Sequence, residues 1–147
     1  MKNHRQRARL AVLVALSLVT IISLASPSWA TGSIGKADLA GPWQIALSGN
    51  TGCGLVSMLA TVTLNSAGSG TGSLHTHGQC GDSVVTGQTF TITSLGSNGS
   101  GTANLSCGVG CGWDFTIQVA PDRSTFNLVD VSSANPGNFV AGVAVHQ

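Results

Sequence analysis

The sequence predicts an all-β fold, a single antiparallel up-and-down barrel of about eight strands, with a two-sheet β-sandwich as the alternative arrangement. Three observations predict it. Apolar and polar residues alternate with period two almost everywhere after Gly41, and no sustained helical period follows Ala30. Short clusters of turn-forming residues separate the alternating runs. The runs are largely neutral and carry few of the charges that protect an open sheet edge, which favours closure into a barrel.

Met1 to Ala30 reads as a secretory signal peptide. Lys2, Arg5, Arg7 and Arg9 form a positive n-region and Leu10 to Leu24 an apolar h-region, and Ser28-Trp29-Ala30 puts small residues where a signal peptidase reads them. Cleavage is expected after Ala30. The apolar run is shorter than the roughly 20 residues that span a bilayer, and Pro27 opposes a helix running on through the cut. Thr31 to Asp38 (residues 31–38) is expected to be a flexible N-terminal segment, and residues 39–147 the barrel domain.

On the first strand Trp43, Ile45 and Leu47 alternate with Gln44, Ala46 and Ser48. Val56, Met58, Ala60, Val62 and Leu64 make one face of a long second strand, and a third runs near Gly70 to His77. Gln88 to Leu95 sets Phe90 and Ile92 against Thr89, Thr91 and Thr93, whose β-branched side chains suit a solvated face. Ala103, Leu105 and Cys107 mark the fifth strand, and Trp113, Phe115, Ile117 and Val119 the sixth. Phe126 and Leu128 mark the seventh, and Phe139, Ala141, Val143 and Val145 the inward face of the eighth. Between them, Ser66-Ala67-Gly68-Ser69, Ser97-Asn98-Gly99 and Pro121-Asp122-Arg123-Ser124 suit tight hairpins. Asn98-Gly99-Ser100 and Asn104-Leu105-Ser106 match the glycosylation acceptor pattern, but the first reads equally as a turn and the second lies mid-strand.

About three apolar side chains per strand fill a small eight-stranded barrel, which still leaves room for one small ligand. A sizeable cavity is not implied, and Ala60, Ala103 and Ala141 would leave a modest one. Period two does not itself say which face is inside. An outer-membrane barrel is disfavoured, because most runs fall short of the roughly 9 to 11 residues of a spanning strand and aromatics are too few for two interfacial girdles.

Four of the six basic residues lie in the leader, leaving Lys36 and Arg123 against five aspartates, a net charge of −3. No basic patch remains for phosphates, which argues against nucleic acid and against anionic lipid after signal cleavage. Cys53, Cys80, Cys107 and Cys111 form an even set downstream of a leader, the pattern of two disulfides made in an oxidising compartment, secreted or periplasmic. Along an up-and-down array, Cys53 lies in the first connection, Cys80 in the third, and Cys107 and Cys111 flank the fifth, so all four gather at one end. That placement favours Cys53 with Cys80 and Cys107 with Cys111 among the three possible pairings.

Gly41-Pro42-Trp43 at the head of the first strand resembles the Gly-x-Trp signature that opens lipocalin-like and avidin-like (calycin-type) small β-barrels. The resemblance implies a barrel that binds a small molecule. Two departures narrow it. The eighth strand has no lysine or arginine to lie over the tryptophan, and the chain has no tyrosine of the kind avidin-like biotin pockets use.

The candidate ligand contacts are Trp43 and Trp113, His75 and His77, and Asn50 and Asn135 in turn-rich connections that a rigid β scaffold would present. Gly108-Val109-Gly110 reads as a hairpin connection rather than a phosphate loop, since no helix follows. His75 and His77 share a strand face about 7 Å apart, which suits two solvated imidazoles or part of a metal site. A zinc site needs three or four ligands, and the cysteines are better spent in disulfides, so no metal is assigned. No nucleophile elbow accompanies the serines, the aspartates lie mostly at turns, and Asp114 beside Trp113 is expected to face water. No catalytic residue and no cofactor is assigned. The functional expectation is a secreted, disulfide-stabilised, non-catalytic barrel binding a small apolar molecule, an extracellular protein or a glycan. Two alternatives stand beside it: a structural or surface-interaction domain with a filled core, and a small hydrolase or metal-binding protein.

Overall fold

The computed structural model describes residues 32–108, 111–132 and 137–147. The leader and Asn135 lie outside the described residues. The strands are β1 (Gly41–Thr51), β2 (Gly54–Leu64), β3 (Ser69–Gly78), β4 (Gly81–Leu95), β5 (Ser100–Gly108), β6 (Cys111–Val119), β7 (Thr125–Asp130) and β8 (Phe139–His146). They close into one antiparallel barrel in sequence order. The ring is completed by β1 against β8, from Trp43 opposite His146 to Asn50 opposite Phe139. The sandwich is thereby excluded.

The apolar phase is the inward one. Trp43, Ile45 and Leu47 of β1, Met58, Ala60, Val62 and Leu64 of β2, and Phe90 and Ile92 of β4 are buried, as are Phe115, Ile117, Phe126 and Leu128 farther round. Threonine and serine pave much of the outside and bond across strands, Thr61 to Ser73 at 2.9 Å and Thr93 to Thr102 at 2.6 Å.

On β8 the expected phase is reversed. Val140 and Ala144 are buried, whereas Phe139 is 60% exposed and Val143 and Val145 about as open as an ordinary surface residue. Ala141 also faces out. Register supplies the reason. Directly paired residues share a face, and β8 sets Gly142 opposite Leu47 and Leu128, and Ala144 opposite Ile45 and Phe126. Trp43 and Phe126, with ring centroids 4.8 Å apart, already fill that sector. Only small residues fit beside them.

Within the stretch expected to be flexible, residues 34–38 pack on the barrel instead. Lys36–Leu39 forms a single 3-10 turn across the end where the β2–β3, β4–β5 and β6–β7 turns lie. Ile34 and Leu39 are buried, the Ile34 N–H donates to the Ser97 carbonyl at 3.0 Å, and Lys36 Nζ donates to the Thr93 carbonyl at 3.1 Å. Trp43 Nε1 donates to the Leu39 carbonyl at 2.8 Å, which ties the turn to the core. The place over the indole that lacks a lysine or arginine holds His146, edge-on at 4.9 Å.

The opposite end carries both disulfides. Cys53 is bonded to Cys80, joining the β1–β2 and β3–β4 turns, and Cys107 to Cys111, clasping the β5–β6 hairpin, with Cα separations of 5.6 and 5.1 Å. The favoured pairing is the one present. Here β4 outruns its neighbour: its pairing with β5 begins only at Thr89 opposite Ser106, so Gly81 to Gln88 is paired on the β3 side alone.

Candidate functional site

The disulfide-bearing end is a rim rather than a cap. Cys53–Cys80 holds two adjacent hairpin turns together, and Gly54, with φ of 96°, lets them approach. A Cβ on Gly54 would run into the Gln79 side chain, and its positive φ is one that other residues resist. Below this staple lies a partly enclosed pocket of about 200 Å³. Leu55, Val56, Met58 and the two cysteines line it together with Thr76 and Gln79, and Trp113 of β6 joins them. The indole is half-buried and packs against the core, so it faces both the filled interior and the pocket.

Volume and chemistry limit the guest. A dry cavity of about 150 Å³ holds benzene, whereas sites for drug-sized molecules run to about 300–1,000 Å³. The pocket therefore fits one ring or a short aliphatic chain. No aspartate, histidine, lysine or arginine lines it, and its cysteines are oxidised. A neutral guest suits such walls, since a charge there would lose its hydration without gaining a partner. Occupancy by a neutral compound is accordingly expected to stay constant from about pH 5 to about pH 8, the range in which histidine titrates. Fluorescence titration of Trp113 at several pH values would check this, and a sigmoidal dependence would contradict it.

The expected contacts separate clearly. Trp113, Cys53 and Cys80 meet at the pocket, while Cys107 and Cys111 sit at the same end outside it. Trp43 is 1% exposed at the closed end and is a core residue. His75 and His77 face outward on β3, opposite Leu59 and Ser57 on one side and Val84 and Asp82 on the other. His77 Nδ1 meets Asp82 Oδ1. Cys80 is committed to its disulfide, and among the described residues no group of three or more potential metal ligands occurs. Asn50 lies on the outward phase of β1, between Leu55 and Phe139. Asp114 is exposed and accepts from Asn104 Nδ2 at 2.9 Å, away from the pocket. At the closed end, Asp122 is held below the usual carboxylate range, first by the backbone N–H of Ser124 and then by its hydroxyl.

Sequence reasoning passed over Thr76, whose histidine neighbours drew attention although it alone of the three is on the inward phase, opposite Met58. It also passed over Gln88, 3% exposed inside the barrel. The signal was present: Gln88 lies two residues before Phe90 and therefore shares its face. No known protein family and no curated protein matches the chain.

Proposed function

We propose that this protein is a secreted or periplasmic, non-catalytic barrel that holds a small, neutral, apolar molecule, or the apolar tip of a larger one, at its stapled rim. The observation that carries the proposal is the Trp113-backed pocket, bounded by the Cys53–Cys80 disulfide and free of ionisable side chains. The stable disulfides favour an oxidising compartment. Kinship with lipocalin-like and avidin-like barrels belongs to the same proposal, supported by Gly41-Pro42-Trp43 on the first of eight up-and-down strands. Native mass spectrometry of protein purified from its own source, alongside thermal shifts with single-ring and short-chain neutral compounds, tests the reading. A retained small molecule or a saturable rise in Tm supports it. A clean apo mass with no shift from any of these compounds ends it.

A specific observation also favours a surface-interaction role. The outward Phe139, Val143 and Val145 of β8 and Val129 of β7 leave apolar side chains exposed on adjoining strands. An extracellular protein or glycan would meet this wall rather than the rim, and Phe139→Ser would then weaken association while leaving small-molecule binding intact.

A further inference from the structure

We propose that His75 and His77 form a copper(II) site on the outer wall of the barrel. It is a two-imidazole chelate whose remaining positions are open to water, with Asp82 as the positioning residue behind His77. The site is separate from the rim pocket and does not depend on it.

Period two puts residues 75 and 77 of β3 on one face, and the register keeps them there. Leu59, His75 and Val84 lie side by side on one outward rung, and Ser57, His77 and Asp82 on the next. Both histidines and Asp82 are exposed and border one groove on the outer wall. β3 is paired on both sides without a break in register from Ser73 to Gly78, and Cys80 ties the turn that follows to Cys53. A site carried on a paired strand is held more precisely than one on a loop. The separation of about 7 Å along the strand lets both rings lean toward one ion, with each nitrogen about 2 Å from it.

A second observation is independent of that spacing. His77 Nδ1 meets Asp82 Oδ1 across the strands. An ionised carboxylate only accepts, so the imidazole donates from Nδ1 and carries its metal-binding lone pair on Nε2. Histidine ligands are commonly backed in this way by a carboxylate, which fixes the ring and raises its basicity. Charge favours a cation as well, because Lys36 and Arg123, the only lysine and arginine after residue 30, lie at the closed end.

Two imidazoles are too few for a closed zinc centre, and among the described residues no group of three potential ligands occurs. Copper(II) asks for less. It accepts tetragonal sets of nitrogen and oxygen, completes them with water, and binds a given site more tightly than the other divalent first-row metals. All four cysteines are in disulfides, so no thiolate of this chain competes for the ion.

Calorimetric titration of the oxidised protein with copper(II) sulfate tests the proposal, and one equivalent is expected to bind with micromolar affinity. His75→Ala or His77→Ala is expected to weaken binding about 100-fold, because the second ligand no longer acts at high effective concentration. Asp82→Ala is expected to cost about tenfold, the lower end for a group behind a metal ligand, and Asp82→Asn, whose side-chain oxygen still accepts, should recover part of it. In ¹⁵N-labelled wild type the paramagnetic ion should broaden the amide resonances of residues 75–77 and 82–84 first, a readout that needs no variant. Absence of micromolar binding, broadening centred elsewhere, or affinity unchanged in either histidine variant overturns the proposal. Full affinity in Asp82→Ala, with both histidine variants impaired, overturns the role given to Asp82 and leaves the chelate.

Discussion

Replacing Trp43 with alanine is expected to destabilise the protein by about 4 to 5 kcal/mol, at the upper end for truncation of a buried aromatic. The residue is 1% exposed, lies between Phe126 and His146 at centroid distances of 4.8 and 4.9 Å, and donates to the Leu39 carbonyl. Truncation opens a large cavity and leaves that carbonyl without its donor, so the 3-10 turn loses its tie to the core. Against a typical stability of about 5–15 kcal/mol, such a loss would leave little margin. Trp43→Phe separates the two contributions, since it keeps most of the ring and removes only the donor; about 1 to 2 kcal/mol is expected. Urea denaturation of both variants measures the difference. A Trp43→Ala loss below about 2 kcal/mol would mean that the closed end does not unfold with the barrel.

Removing the Cys53–Cys80 bond by paired alanine substitution is expected to cost about 3.5 kcal/mol, from the loop-closure entropy of its 27-residue separation. The same treatment of Cys107–Cys111, with a separation of 4, is expected to cost about 2 kcal/mol. The two pairs differ further in function. Only the first borders the pocket, so only its loss should weaken binding of a neutral aromatic. Denaturation curves and titrations on both double variants read the two effects. Equal stability losses, or equal binding losses, would contradict the distinct roles given to the two bonds.

Most of the barrel was legible because seven strands declare their buried face by alternation between unlike residues. Ile45 beside Gln44 and Phe90 beside Thr89 leave little choice. β8 does not, since Phe139 to Val145 is apolar or small on both phases, and the larger side chains looked like the core. What decided the matter was the space left by Phe126 on the preceding strand and by Trp43 on β1, far away in sequence. The candidate site was legible in part for the same reason. The cysteines announced the rim by position along an up-and-down array, and Trp113, Val56 and Met58 already belonged to the inward set. The pocket itself arises where two hairpin turns close on each other and one indole crosses a barrel, neither of which a local pattern records. Gln88 shows the reverse case, a polar residue whose phase was readable but whose burial runs against its composition.

Both disulfides join cysteines that are consecutive along the chain, and every strand pairing except β1 with β8 joins sequence neighbours. If the chain is exported as it is made into an oxidising compartment, as proposed above, Cys53 and Cys80 meet the oxidant before Cys107 does, and Cys107 and Cys111 then follow alone. Under that route the native bonds would form in order, without the thiol–disulfide shuffling that interleaved cysteines demand. Four hairpins can mature one after another, and the single long-range event, the first strand meeting the last, is deferred until the termini are both at hand.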